Sequence, residues 1–253
     1  MGRQTKIIAV CGKGGVGKTS ISSIITKLLV QKKKGAKILA IDADPAIGLS
    51  TALGVEIGKT VDDIRKEIIE TSKEGTKEDK ISILTKLDYE VFDAMVEKDG
   101  FAFLAIGRPE SDGCYCKVNG YLKDIIQALA LNFDYVVIDG EAGIEQINRR
   151  VMETVTHLLL VSDGSYKGIN VIKTIGDVAY NLVKYDKMGV VLNRIRDEKV
   201  KEMVDLDDLE LLNYVPEDTN VNYFDVAGKS LLGLPKTESV KAVEEALIKF
   251  GIL

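Results

Sequence analysis

No run of roughly 18 apolar residues occurs in the 253-residue chain, so no segment reads as a membrane-spanning helix. No secretory apolar stretch precedes the first strand-like run, and Lys6 stands where N-myristoylation wants serine or threonine. These absences lead to the expectation of a cytoplasmic protein with no membrane partner. Basic clusters are also missing. The 34 Lys and Arg are scattered among 39 Asp and Glu, for a formal net charge of −5, which argues against a nucleic-acid partner. Three cysteines do not make a disulfide framework, and in such a compartment they are expected as reduced thiols, open to metal or redox chemistry. There is no internal repeat and no low-complexity linker. What remains is a chain 45% hydrophobic, enough for one large α/β core.

Apolar, β-branched runs recur at Lys6–Cys11, Lys37–Ile41, Phe101–Ile106, Tyr135–Ile138, His157–Val161, Gly189–Leu192 and Leu211–Val215. Their apolarity is continuous rather than alternating, the pattern of strands covered on both faces. Helical stretches between them supply right-handed crossovers. The expected fold is α/β: a doubly wound, mainly parallel sheet with helices on both faces, in a single domain over residues 1–253. Residues 58–100 are the most polar and charged and read as two surface helices inserted between strands. His157 opens a buried strand and Cys11 lies within one, so both read as core residues. Val240, Val243, Leu247 and Ile248 fall on one face of an amphipathic stretch from Glu238 to Leu253. Its mixed charges lack the basic face that anionic lipid prefers, so it is expected to pack on the sheet.

Gly12-Lys13-Gly14-Gly15-Val16-Gly17-Lys18-Thr19 is G-x-x-x-x-G-K-[ST], the phosphate-binding loop. A strand-like run precedes it, and Ile21, Ile24, Ile25, Leu28 and Leu29 follow at helical spacing. Glycines let consecutive backbone N–H groups face one anion, and the helix start beside Ser20 adds partial positive charge. Lys18 is expected to reach the β- and γ-phosphates and Thr19 to ligate Mg²⁺. Asp42-Ala43-Asp44-Pro45 follows the second strand, at the sheet edge where ligands bind. One carboxylate there can hold a Mg²⁺-bound water and the other can orient the attacking water. Tyr135–Asp139 is an apolar strand ending in an acid, the Walker B pattern. A guanine reader would need an acid three positions after Asn193. Arg196 stands there, so ATP and ADP are favoured over guanine nucleotides.

Residues 107–118 form a loop rich in glycine and polar residues that carries Cys114 and Cys116. Two thiols supply half of a four-coordinate thiolate site. Either they are unpaired loop cysteines, or a C₂ dimer sets two copies face to face to complete an S₄ site.

Lys13, a second lysine early in the loop, makes K-G-G-x-G-K-[ST]. This form resembles the MinD, ParA and nitrogenase iron protein group of nucleotide-switched P-loop dimers. That resemblance implies that Lys13 reaches the partner's phosphates, that Asp44 is the hydrolytic acid with Asp42 near the metal, and that Gly143 is a switch glycine sensing the γ-phosphate. It also implies that Asn193 and the turn at Pro216 lie near adenine. Glu141 departs from the group, where proline is usual. With Cys114-Tyr115-Cys116 added, the chain resembles the CooC family, ATPases that help insert nickel into carbon monoxide dehydrogenase. This implies an ATP-hydrolysing homodimer holding Ni²⁺, with Zn²⁺ able to occupy the same site, and the dehydrogenase as client. The alternatives are an iron–sulfur-bridged dimer and a MinD- or ParA-like positioning ATPase without a nickel role.

Overall fold

The computed structural model describes residues 4–74, 86–108, 116–141 and 144–253, without the side chains of 71–74, 116–117, 146 and 149–150. Within them, β1 (Lys6–Cys11), β2 (Ile38–Asp42), β3 (Val96–Lys98), β4 (Phe101–Ala105), β5 (Tyr135–Asp139), β6 (His157–Ser162), β7 (Lys187–Ile195) and β8 (Leu211–Pro216) form one sheet. Its order is β3-β4-β2-β5-β1-β6-β7-β8. Every neighbouring pair is parallel except β3 with β4. From β1 the chain winds toward β2 on one side and, later, toward β6 on the other. The reversal opens a crevice beyond the C-terminal end of β1, the usual ligand position in such sheets.

The helices are α1 (Lys18–Lys32), α2 (Gly48–Leu53), α3 (Val61–Glu74), α4 (86–93), α5 (Cys116–Ala130), α6 (Glu145–Arg150), α7 (Tyr166–Leu182), α8 (Lys199–Met203), α9 (Thr219–Val226) and α10 (Glu238–Phe250). Successive strand residues point to opposite faces, so each central strand feeds two cores. Ile7, Ala9 and Cys11 of β1 join Ile64 of α3, Ile126 of α5 and Ile172 of α7. Ile8 and Val10 join Ile25 of α1 and Val243 of α10. This double coverage is why the strands read as unbroken apolar runs. Among the described residues, no helix is long and apolar enough to cross a membrane.

Two details differ from the sequence reading. Within residues 58–100 the two expected helices are followed by β3, an antiparallel edge strand. It pairs Val96 with Phe103 and Lys98 with Phe101 across an Asp99-Gly100 turn. Gly100 has φ +90, the left-handed backbone such a turn requires. On α10, Val240, Val243 and Leu247 are buried as expected, but Ile248 is 57% exposed. Ala246 and Phe250 take its place, because a residue directly after Leu247 is turned about 100° away from it. The helix does pack on the sheet. Asn213 of β8 donates to Ala242 O, and Lys6 and Lys187 donate to the carbonyls of Gly251 and Phe250 at its C-terminal end.

His157 begins β6, buried, with Nδ1 2.7 Å from the Thr156 hydroxyl and its ring edge-on to Phe250. Burial, reinforced by the Lys187 and Lys6 charges, pushes its pKa down to about 4. In the unfolded chain the imidazole takes its proton near pH 6.5, so stability should fall as pH drops from there toward 4. We expect thermal melts over this window to show a steeper pH dependence for the wild type than for His157→Gln, by about 2 kcal/mol across the range. Parallel slopes would remove His157 from the linkage.

Candidate functional site

The phosphate-binding loop leaves β1 at Cys11 and enters α1 at Lys18. A side chain at Gly12 would place its Cβ 2.0 Å from the carbonyl oxygen of Val161 on β6, so the loop starts in backbone contact with the neighbouring strand. Gly17 has φ +91, and a Cβ there would meet Asn193 Nδ2 at 2.5 Å. That amide donates to Val16 O at 2.9 Å, and Arg194 Nη1 donates to Gly15 O at 2.8 Å. Lys18 is buried with Nζ 3.2 Å from Lys13 O, so its ammonium lies inside the curl of the loop. Gly14 and Gly15 are exposed above open space. The result is a concave anion cradle at a helix N-terminus, the arrangement that binds phosphate.

Below the cradle sit two carboxylates. Asp42 and Asp139 end β2 and β5 and are register partners in the sheet. Asp139 accepts from Thr19 Oγ1 at 2.7 Å and from Ser22 Oγ at 2.9 Å. Asp42 accepts from the backbone N–H groups of Leu49 at 2.8 Å and Asp44 at 3.1 Å. Burial and then mutual repulsion raise Asp42 to about 7. Asp139 rises to about 6, through burial that outweighs its hydrogen bonds and the nearby Lys18. Two acids stacked in a dry site are a place for a cation. The Thr19 proton is spent on Asp139, which leaves the hydroxyl lone pairs free to face a metal. A hard-oxygen donor set of this kind fits Mg²⁺. Asp44 lies half-buried on the rim of the cleft, its Oδ1 accepting from Ala46 N across the Pro45 turn.

The cradle opens into a cleft of about 370 Å³ running from Lys18 and Thr19 to Asn193, Pro216 and Val221. Its far end joins apolar Val215 and Leu231 to polar Asp218 and Ser239, suited to a flat heterocycle with polar edges. Arg196 is held by Glu217 through two hydrogen bonds of 2.6 Å. The structure therefore brings together Gly12 to Ser20, Asp42, Asp44, Asp139, Asn193 and Pro216. Cys114 and Gly143 lie outside the described residues, as does the side chain of Cys116. Lys13 is half-buried at the start of the loop, outside the cleft lining. Sequence reading missed Ser22 and Arg194. Ser22 lies three residues after Thr19, hence on the same side of α1, which is a legible signal. Arg194 depends on a strand irregularity that leaves no local pattern.

Below about pH 7, a cation bound here would displace protons from the Asp42–Asp139 pair. Affinity for Mg-ADP should therefore rise with pH up to about 7 and level off above it, where both groups are ionised. Calorimetry in buffers of different ionisation enthalpy should show proton release at pH 6 and little at pH 8. Asp42→Asn should cut that release. Equal release at both pH values would place the titrating group elsewhere.

A family model described as "CobQ/CobB/MinD/ParA nucleotide binding domain" matches residues 7–231. An uncharacterised ATP-binding protein of Methanocaldococcus jannaschii is 40% identical over 249 residues, covering 94% of this chain and 96% of that protein. The carbon monoxide dehydrogenase accessory protein CooC of Rhodospirillum rubrum is 28% identical over 251 residues, covering 90% of this chain and 89% of its own. The crystal structure of the cell division ATPase MinD from Pyrococcus furiosus superposes with a TM-score of 0.69 at 24% identity, over 97% of this chain and 98% of that one, which bears on the fold. Loop, paired acids, cleft and matches agree: the chain belongs to the CobQ/CobB/MinD/ParA nucleotide-binding family of P-loop ATPases.

Proposed function

We propose that this protein is an ATP-hydrolysing metallochaperone that dimerises with nucleotide and metal and assists nickel insertion into carbon monoxide dehydrogenase. The observation that carries the reading is the sequence Cys114-Tyr115-Cys116, whose last residue opens α5, in a chain related to CooC. The segment before the cysteines is tied to the nucleotide site. Ile106 N donates to Asp42 O, and Asp62 N on α3 donates to Ile106 O, both at 2.9 Å. Gly107 packs so closely on Thr60 that a Cβ would lie 2.7 Å from its hydroxyl.

In this reading the cradle N–H groups and Lys18 hold the β- and γ-phosphates, and Asn193 and Pro216 border adenine. Thr19, Asp139 and Asp42 hold Mg²⁺, which supplies charge neutralisation on the phosphates. Asp44 accepts a hydrogen bond from the water that attacks the γ-phosphate. Lys13 enters the partner's site and neutralises charge there, while Gly143 registers the γ-phosphate. Cys114 and Cys116 of two chains cage one Ni²⁺ as cargo, and Zn²⁺ fits the same thiolates. ATP and metal favour the same closed homodimer, so each should raise the affinity for the other. The protein works in the cytoplasm, without nucleic acid or membrane.

The test is solution mass with and without nickel chloride. Nickel should convert monomer to dimer at about one ion per two chains, and Cys114→Ser with Cys116→Ser should abolish this while Mg-ADP still binds. A double variant that dimerises with nickel as the wild type does would overturn the metal site. Asp44→Ala and Lys13→Ala should each lower steady-state ATP turnover by about 100-fold or more, as expected for positioning and charge-neutralising groups in phosphoryl transfer. Wild-type turnover in either variant would remove that residue from the mechanism.

A further inference from the structure

The ladder between β7 and β8 breaks register just before the nucleotide site. Leu192 pairs with Tyr214, and the next pair is Ile195 with Pro216. Asn193 and Arg194 thus oppose Val215 alone, a bulge of two residues against one. Bulges re-aim side chains and gather beside active sites. Arg194 has φ +58, a left-handed backbone that strains a non-glycine residue. The strain delivers two adjacent side chains to one target. Asn193 donates to Val16 O and Arg194 to Gly15 O, consecutive carbonyls of the phosphate loop.

There are no cis peptides among the described residues. In a planar trans peptide the N–H points opposite to the preceding C=O. Drawing Gly15 O outward therefore turns Val16 N–H inward, and drawing Val16 O outward turns Gly17 N–H inward. Both N–H groups then face the cradle. Arg196 is engaged by Glu217 and does not compete for either carbonyl. We propose that the Asn193–Arg194 bulge is a clamp that presets the phosphate cradle, with Arg194 the positioning residue that holds the Gly15–Val16 peptide before nucleotide arrives. This rests on the loop being the phosphate site and is independent of any metal cargo.

Arg194→Gly on the full chain tests it, because glycine adopts the same φ without strain while removing the donor. The melting temperature without nucleotide should stay level or rise. The Kd for Mg-ADP should increase about ten-fold, the order expected for losing one hydrogen bond from a charged donor. Mg-pyrophosphate, measured by competition with Mg-ADP, should weaken by the same factor, and the factor should persist at high salt. Unchanged Mg-ADP affinity overturns the clamp. So does a loss confined to ADP, which would mean a base contact. A loss that vanishes in high salt would mean long-range attraction, and a matching drop in melting temperature would mean a fold role. Either of these also overturns it. Wild-type protein that fails to bind Mg-ADP at all would strike the cradle reading instead.

Discussion

The Asp139 carboxylate accepts hydrogen bonds from Thr19 and Ser22 on the first turns of α1, while its backbone carbonyl accepts from Ala43 just past β2. The next residue, Gly140, donates back to Val10 on β1. One strand end thereby fixes the helix that follows the loop, the segment that carries Asp44, and the strand that launches the loop. Hydrogen bonds to a carboxylate contribute about 1.5–3 kcal/mol each, against a large desolvation cost. Burial raises the proton affinity of this acid against the opposing pull of its two hydrogen bonds and of Lys18. The surrounding architecture, with cores on both faces of the sheet, supplies the dry setting in which this balance holds.

Much of this is legible in the sequence. The glycine loop, the acids at strand ends and the unbroken apolar runs each report a local rule, and together they define a doubly wound sheet with its ligand edge. Residues obeying non-local rules were harder to read. β3 is short and polar because it is an edge strand, and its clearest trace was the Asp99-Gly100 dipeptide. Apolar spacing puts Ile248 on the buried face, yet it is exposed, because spacing alone does not tell which of two adjacent residues a neighbour covers. Arg194 was invisible, since the bulge that aims it arises from pairing with β8, a partner some twenty residues away in sequence.

Asp42 stands at a meeting of two routes. Its side chain grips the N-terminal turn of α2 through Leu49, and its carbonyl receives Ile106 at the exit of β4. The Ile106 carbonyl in turn accepts from Asp62 N of α3, where Asp62 and Arg65 form a buried ion pair 2.8 Å apart. The segment leading to the cysteines is therefore anchored to the same residue that stands beside Asp139 in the sheet. The first link runs through the Asp42 side chain and the second through its backbone carbonyl, so a change of charge at Asp42 acts directly on the α2 link alone.

The Arg196–Glu217 pair has a consequence for how nucleotide choice can drift. A guanine-type reader calls for an acid at position 196. Arg196→Asp alone would set a carboxylate beside Glu217 and strip that residue of its counter-ion, at the mouth of a cleft already rich in acids. Changing Glu217 first would leave Arg196 unpaired. Because the Arg196 side chain is 76% exposed, solvent screens the pair and either single step carries only a small penalty, so the charge at this position guards base choice weakly.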